Sequence, residues 1–233
     1  MIKQPLTICW IVLVGIWYFD STLYAQYDTE LWKGIELEKA WGNDLTFSVE
    51  EQVRLNNNFS QFKSAFIAVS AKYSPVRHLR VSGGYRYTLR ETKISQRLYA
   101  DLGLKPFKRI SIFEPVFRFR YQEDYNRGDR AERYLRPKLS LKTDLKSLKT
   151  ELAVGGELFY HLSNEGSEFD RYRLSVGLSR LIAKRSAVAL SYIFQQEFNV
   201  YEPAMSNVIS LSFTVELDKY DLENRRRLPK VKR

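Results

Sequence analysis

Ser163 stands two residues after His161, with Glu165 and Glu168 shortly beyond. A hydroxyl nucleophile needs a base beside it and an acid to orient that base, and this cluster contains all three groups. Residues two apart on a strand share a face, so His161 and Ser163 would lie together at the edge of a loop carrying the carboxylates. A His-x-Ser spacing also arises often by chance. In the alternation described below the pair falls on the polar, inward side, away from membrane lipid, so the favoured reading is a rim histidine above a loop. The other histidine, His78, sits in a short turn with no carboxylate near it in sequence and reads as a solvated turn residue.

A second set of residues is larger and more regular. Charged side chains recur in the middle of segments that otherwise alternate polar and apolar: Arg80 and Arg86, Arg118 and Arg120, Arg136 and Lys138, Glu151 and Glu157, Arg171 and Arg173. With Arg54 added, the polar face carries about twice as many cations as anions, and Glu50, Asp101, Glu114, Glu151, Glu157 and Glu197 are available as partners. Such a face either cross-links into a plug of ion pairs or, if left open, lines a passage favouring anions. The plug is the favoured reading. No spacing of His, Cys or carboxylates matches a metal site, and Gly83-Gly84 is followed by no helix that could bind a nucleotide. No cofactor is expected; the glycine pair suits close packing in a wall.

The elements that must hold these residues follow from the rest of the chain. Lys3, the apolar run 6–19 and the exit Leu23-Tyr24-Ala25 have the order of a secretory signal peptide, with cleavage expected after Ala25. The run is too short for a comfortable membrane-spanning helix, which wants about 20 apolar residues. The sole cysteine, Cys9, would leave with it, so the mature chain would hold no disulfide. A net charge of +10 alongside 14 Phe and 15 Tyr would suggest nucleic acid in a cytosolic protein. Export redirects that charge toward anionic lipid or lipopolysaccharide, or toward internal ion pairs, and nucleic acid is not an expected partner.

Strict alternation recurs from there on, clearest over 79–89. Further runs cover 31–37, 45–49, 65–73, 98–104, 113–121, 135–141, 148–160, 172–178, 188–198 and 209–217, about eleven strands in all. Many run to about 9–13 residues, the length of a tilted strand crossing a bilayer. Short connections (41–44, 74–78, 105–109, 144–147, 182–185) alternate with longer polar ones (55–61, 90–95, 124–132, 162–168, 199–205), as periplasmic turns alternate with outer loops. Tyr73, Tyr87, Tyr121, Tyr160 and Phe198 near the strand ends suit interfacial girdles. The fold expected is therefore all-β, an antiparallel transmembrane barrel over 26–217. Counting from the short turns puts the mature N-terminus at the loop end and makes the strand number odd. Bacterial single-chain barrels are normally even-numbered, so either the first segment is not a full wall strand or one connection is misread, and about 10–12 strands are expected. The basic tail 218–233, with Arg225-Arg226-Arg227, reads as a disordered periplasmic extension.

The Trp32-Lys-Gly segment, Glu50-Glu-Gln-Val-Arg-Leu-Asn-Asn-Asn58, Gly83-Gly-Tyr-Arg86, Arg171-Tyr-Arg-Leu174 and the closing strand resemble an uncharacterised outer-membrane barrel family of Bacteroidetes, domain of unknown function 2490. The resemblance implies a location in the cell outer membrane and a barrel fold. It implies insertion by the barrel-assembly machinery, which would engage the strand 207–217, and it supplies no site residues. A structural or pore-type barrel is expected, without enzymatic activity. The alternatives are a lipid hydrolase using His161 and Ser163, as lipid A deacylases use a His-x-Ser pair and a Glu, and a soluble lipocalin-like binder that would bury its apolar face around a ligand.

Overall fold

A computed structural model describes residues 26–106, 110–126, 130–163 and 166–217. Residues 1–25, read above as an export signal, the basic tail 218–233 and Glu165 lie outside the described residues. Eleven strands form one closed barrel: β1 (Gln26–Trp41), β2 (Leu45–Asn56), β3 (Gln61–Val76), β4 (Leu79–Arg90), β5 (Ile94–Leu104), β6 (Glu114–Asn126), β7 (Glu132–Leu145), β8 (Thr150–Leu162), β9 (Glu168–Ala183), β10 (Ser186–Glu197) and β11 (Ala204–Glu216). Each pairs antiparallel with its sequence neighbours. The ring has the eleven strands counted in the sequence, within the expected range of about 10–12. No segment drops out, and the ring closes by parallel pairing of β1 with β11, in register from Gln26–Ala204 to Glu38–Glu216. An odd ring of up-and-down strands leaves its first and last strands running the same way, so one parallel seam is the geometric consequence.

The seam fixes two rims. At the N-terminal rim the described chain begins and β2, β4, β6, β8 and β10 end where β3, β5, β7, β9 and β11 start; at the C-terminal rim β11 ends beside the ends of β1, β3, β5, β7 and β9 and the starts of β2, β4, β6, β8 and β10. The expected contrast in loop length is smaller than the alternation suggested, because strands continue into polar segments: β6 extends to Asn126 and β4 to Arg90. The longest connection, 105–113, lies among the short turns and contains an Ile110–Phe113 bridge.

Strands of 11 to 16 residues make the wall. Their side chains sort by parity, and the sorting is the reverse of a water-soluble core. Among the described residues fourteen polar or charged side chains are buried against five apolar ones, while Ile67, Val69, Leu98, Phe119, Leu174 and Leu190 stand exposed on the outside. Trp41 and Tyr73 lie on the outer surface near the C-terminal rim, and Tyr87, Tyr121 and Tyr125 toward the N-terminal rim. Alternation of two chemically distinct faces is what a period of two produces when both faces have a partner medium.

Two local departures re-aim side chains. Arg54 pairs with Ser64 and Leu55 with Phe62, so Lys63 is an extra residue in β3. Phe159 pairs with Arg171 and Tyr160 with Phe169, so Asp170 is extra in β9. Such bulges shift the face on which later residues emerge. Gly84 faces inward on β4, where an added Cβ would come within 2.7 Å of the Val69 carbonyl oxygen and meet the Tyr99 side chain. Only glycine lets the Tyr99 ring lie against that wall.

Candidate functional site

The inward face gathers its charge around Glu157, in the middle of β8. Its Oε1 accepts hydrogen bonds from Arg118 Nη2 at 2.5 Å, from Arg136 Nη2 at 2.8 Å and from Arg136 Nε at 3.1 Å. Arg173 Nη1 stands 4.0 Å from Oε2. Arginines of β6, β7 and β9 thus meet one carboxylate because register puts Lys138 opposite Glu157 and Glu157 opposite Arg173. A charge held in a protein interior needs such compensation, since its hydration has been given up.

Further pairs extend the brace. Arg136 Nη1 donates to Gln122 Oε1 at 2.6 Å, and Gln122 Nε2 donates to Asp124 at 3.2 Å. Arg97 grips Asp124 through two bonds of 2.6 and 2.7 Å, and Arg120 grips Asp101 through two of 2.7 and 2.8 Å. These two-pronged contacts are the strong form of an arginine–carboxylate pair. Arg86 approaches Glu50 at 3.6 Å, Lys142 binds Glu151 at 2.9 Å, and Lys72 bridges Glu36 and Glu38 at 3.1 and 2.6 Å.

Arginines also alternate with aromatic rings around the lumen. The Arg86 guanidinium carbon lies 3.6 Å from the Phe66 centroid; Arg54 lies 5.2 Å from Phe66 and 4.0 Å from Trp32. Arg173 lies 5.5 Å from Trp32 and 4.8 Å from Phe159, and Arg136 lies 4.1 Å from Phe159. The belt Arg86–Phe66–Arg54–Trp32–Arg173–Phe159–Arg136 therefore runs from β4 through β1 to β7. Ring faces attract guanidinium and fix its plane without cancelling its charge.

Two cavities divide the lumen. The larger, about 680 Å³, reaches from residues of the N-terminal rim such as Lys63 and Glu132 down to Glu157 and Lys138; the smaller, about 270 Å³, is lined by Lys72, Arg80, Asp101 and Gly103 among others. Glu50, Arg118 and Arg120 line both, and so form the layer where the two meet.

All ten charged residues picked out for the lumen (Arg54, Arg80, Arg86, Arg118, Arg120, Arg136, Lys138, Glu151, Glu157 and Arg173) share the inward face through the strand register. Arg118, Arg136, Glu157 and Arg173 come together, while Arg120, Arg86 and Glu151 pair elsewhere, with Asp101, Glu50 and Lys142. The sequence reading missed the rings of Trp32, Phe66 and Phe159; Trp32 and Phe159 stand in phase with Glu30 and Glu157, which was the available signal, whereas Phe66 stands in phase with Ser64 and Ala68 and offered none. It also missed Lys63, which binds Glu30 at 2.6 Å after its bulge turns it inward.

His161 and Glu168 do come opposite one another in register at the N-terminal rim. The imidazole stacks on Tyr134, centroids 4.9 Å apart and planes 22° apart, on the lumen side. Ser163 lies past the end of β8, where its amide donates to Ser167 Oγ at 3.2 Å and its carbonyl accepts from that hydroxyl at 3.3 Å. At the other rim, His78 Nδ1 is 2.9 Å from the Lys105 carbonyl oxygen, so this turn histidine ties two connections together and is not simply solvated.

A family model described as "Protein of unknown function (DUF2490)" matches residues 29–204. The chain belongs to DUF2490. The DUF2490 match begins within β1, ends at the first residue of β11 and includes the whole arginine–aromatic belt. No curated protein matches the chain.

Proposed function

We propose that this DUF2490 protein is a transmembrane barrel of the bacterial outer membrane whose lumen is closed at rest by its own ion pairs. Its role in this reading is structural or ligand-holding, with no steady conduction and no catalysis. The observation that carries it is the inverted sorting of side chains: buried Glu157 and Arg136 inside, exposed Ile67, Phe119 and Leu190 outside. Hydrocarbon stabilises such an exterior, and a closed sheet leaves no backbone edge unpaired in it. A lipocalin-like binder in water would need the opposite sorting. The outward aromatics near both rims suit the two interfaces, and the export signal read from residues 1–25 supports the compartment. Outer-membrane lipid and lipopolysaccharide would then be its surroundings, and the barrel-assembly machinery its partner during insertion.

Closure is supported by the layer shared between the two cavities, where Arg118 and Arg120 are each bound to a carboxylate. The test has two steps. Fractionated cells are examined for the protein in the outer membrane, with migration on gels compared before and after boiling; the detergent-extracted barrel is then placed in planar bilayers. Heat-modifiable migration without conductance supports the proposal. Steady anion-selective conductance would replace closure with a pore, a reading favoured by the excess of cations in the larger cavity. A soluble periplasmic protein would sink the membrane assignment.

A further inference from the structure

The larger cavity carries more positive charge than its carboxylates can match: eleven of its lining residues are Arg or Lys and six are Asp or Glu. The mismatch concentrates on particular side chains. Arg54 makes no ion pair among the described residues; its Nε donates to Gln52 Oε1 at 2.8 Å, and its plane is held by Trp32 and Phe66. Lys138 likewise has no ion pair among the described residues, although it lies in register with Glu157. Arg173 reaches only to 4.0 Å from a carboxylate that Arg118 and Arg136 already occupy. Arg86 shares the Phe66 ring with Arg54, has its nearest carboxylate at 3.6 Å, and keeps a buried Nε without a hydrogen-bond partner.

Like-charged guanidiniums brought together in a partly dehydrated space repel one another, and the rings that orient them do not neutralise them. Their planar N–H edges match the geometry of oxyanions, which accept several charge-assisted hydrogen bonds at once. Chloride can accept from several donors, but it carries a single charge and has no pair of oxygens to match a planar guanidinium edge. An anion with several oxygens can accept from more than one of them: Arg54 shares the Phe66 ring with Arg86 and the Trp32 ring with Arg173, and Lys138 lines the same cavity.

We propose that the larger cavity is a binding site for a multivalent oxyanion of the phosphate or sulfate type, entering from the N-terminal rim. Arg54, Arg86, Arg173 and Lys138 hold it, and Trp32 and Phe66 keep the arginine planes in place. The inference rests on the inward-facing charged lumen of that reading but on neither its closure nor its membrane location, so binding to the purified barrel is decided independently of cell fractionation and conductance.

The test is titration calorimetry of the detergent-folded protein with sodium phosphate, pyrophosphate and sulfate, against sodium chloride at equal ionic strength. The preferred anion distinguishes the phosphate from the sulfate class. Saturable binding is expected for at least one of the three, and Arg54→Gln should weaken it at least about ten-fold, the loss of one charge-assisted contact. Lys149→Gln, in an exposed connection at the opposite rim, should leave it unchanged. Heat-modifiable migration verifies folding of each variant, and Lys138→Gln reads the same cavity if Arg54→Gln fails to fold. Absence of saturable binding in the wild-type barrel overturns the site, as does wild-type affinity in a folded Arg54→Gln or Lys138→Gln protein. Protection by phosphatidylglycerol micelles without any response to free anions would also overturn it, because that phosphate would be held on the outer wall.

Discussion

Arg136 and Glu157 meet inside the barrel at 2.8 Å, each side chain only 5% exposed. Neither charge is tolerated there alone, yet Glu157 also receives Arg118, so removing the carboxylate leaves more than one cation uncompensated.

Glu157→Gln is accordingly expected to destabilise the barrel by about 3 kcal/mol, the usual cost of breaking a buried pair from one side. Urea unfolding in detergent measures it. Adding Arg136→Gln should recover part of the loss, since the two changes act on one network. A single variant as stable as wild type would mean that the lumen is wet enough to screen the charges.

The adjacent glycines separate sharply. Gly84→Ala should cost about 1–3 kcal/mol, because the new methyl has backbone 2.7 Å away and a tyrosine over it. Gly83→Ala, whose nearest neighbour would be 3.6 Å away on the outer wall, should change stability by less than about 0.5 kcal/mol. Thermal loss of heat-modifiable migration ranks the two, and equal effects would contradict the inward placement of Gly84.

The parallel seam is testable by covalent trapping. Lys33 and Leu211 are register partners on the outer face, and the only native cysteine is Cys9. Lys33→Cys with Leu211→Cys should oxidise to a disulfide in the folded barrel, as neighbouring strands bring Cα atoms within about 4.4–6.8 Å. A shift in gel migration after oxidation reports it. No cross-link in folded protein would exclude β1 from the position beside β11.

His161 is expected to matter through its ring. His161→Ala should lower stability by about 1 kcal/mol by removing the stack on Tyr134. It should leave the phospholipid and lipid A composition of expressing cells unchanged, read by mass spectrometry. Lipid deacylation that disappears with His161→Ala would restore a catalytic reading of His161, Ser163 and Glu168.

Much of this architecture was written in local pattern. A side-chain period of two assigned Arg54, Arg86, Arg118, Arg136 and Glu157 to one face without any knowledge of neighbours, and eleven alternating runs correspond to eleven strands. Tertiary structure alone decided which of those residues meet. Glu157 collects Arg118 and Arg136 because three strands align in one register, whereas Arg54 on the same face finds rings and an amide. Lys63 escaped the pattern because one extra residue reverses parity, which alternation cannot report. The parallel meeting of β1 and β11 was equally invisible, since closure joins segments at opposite ends of the chain and is set by strand number and direction around the ring.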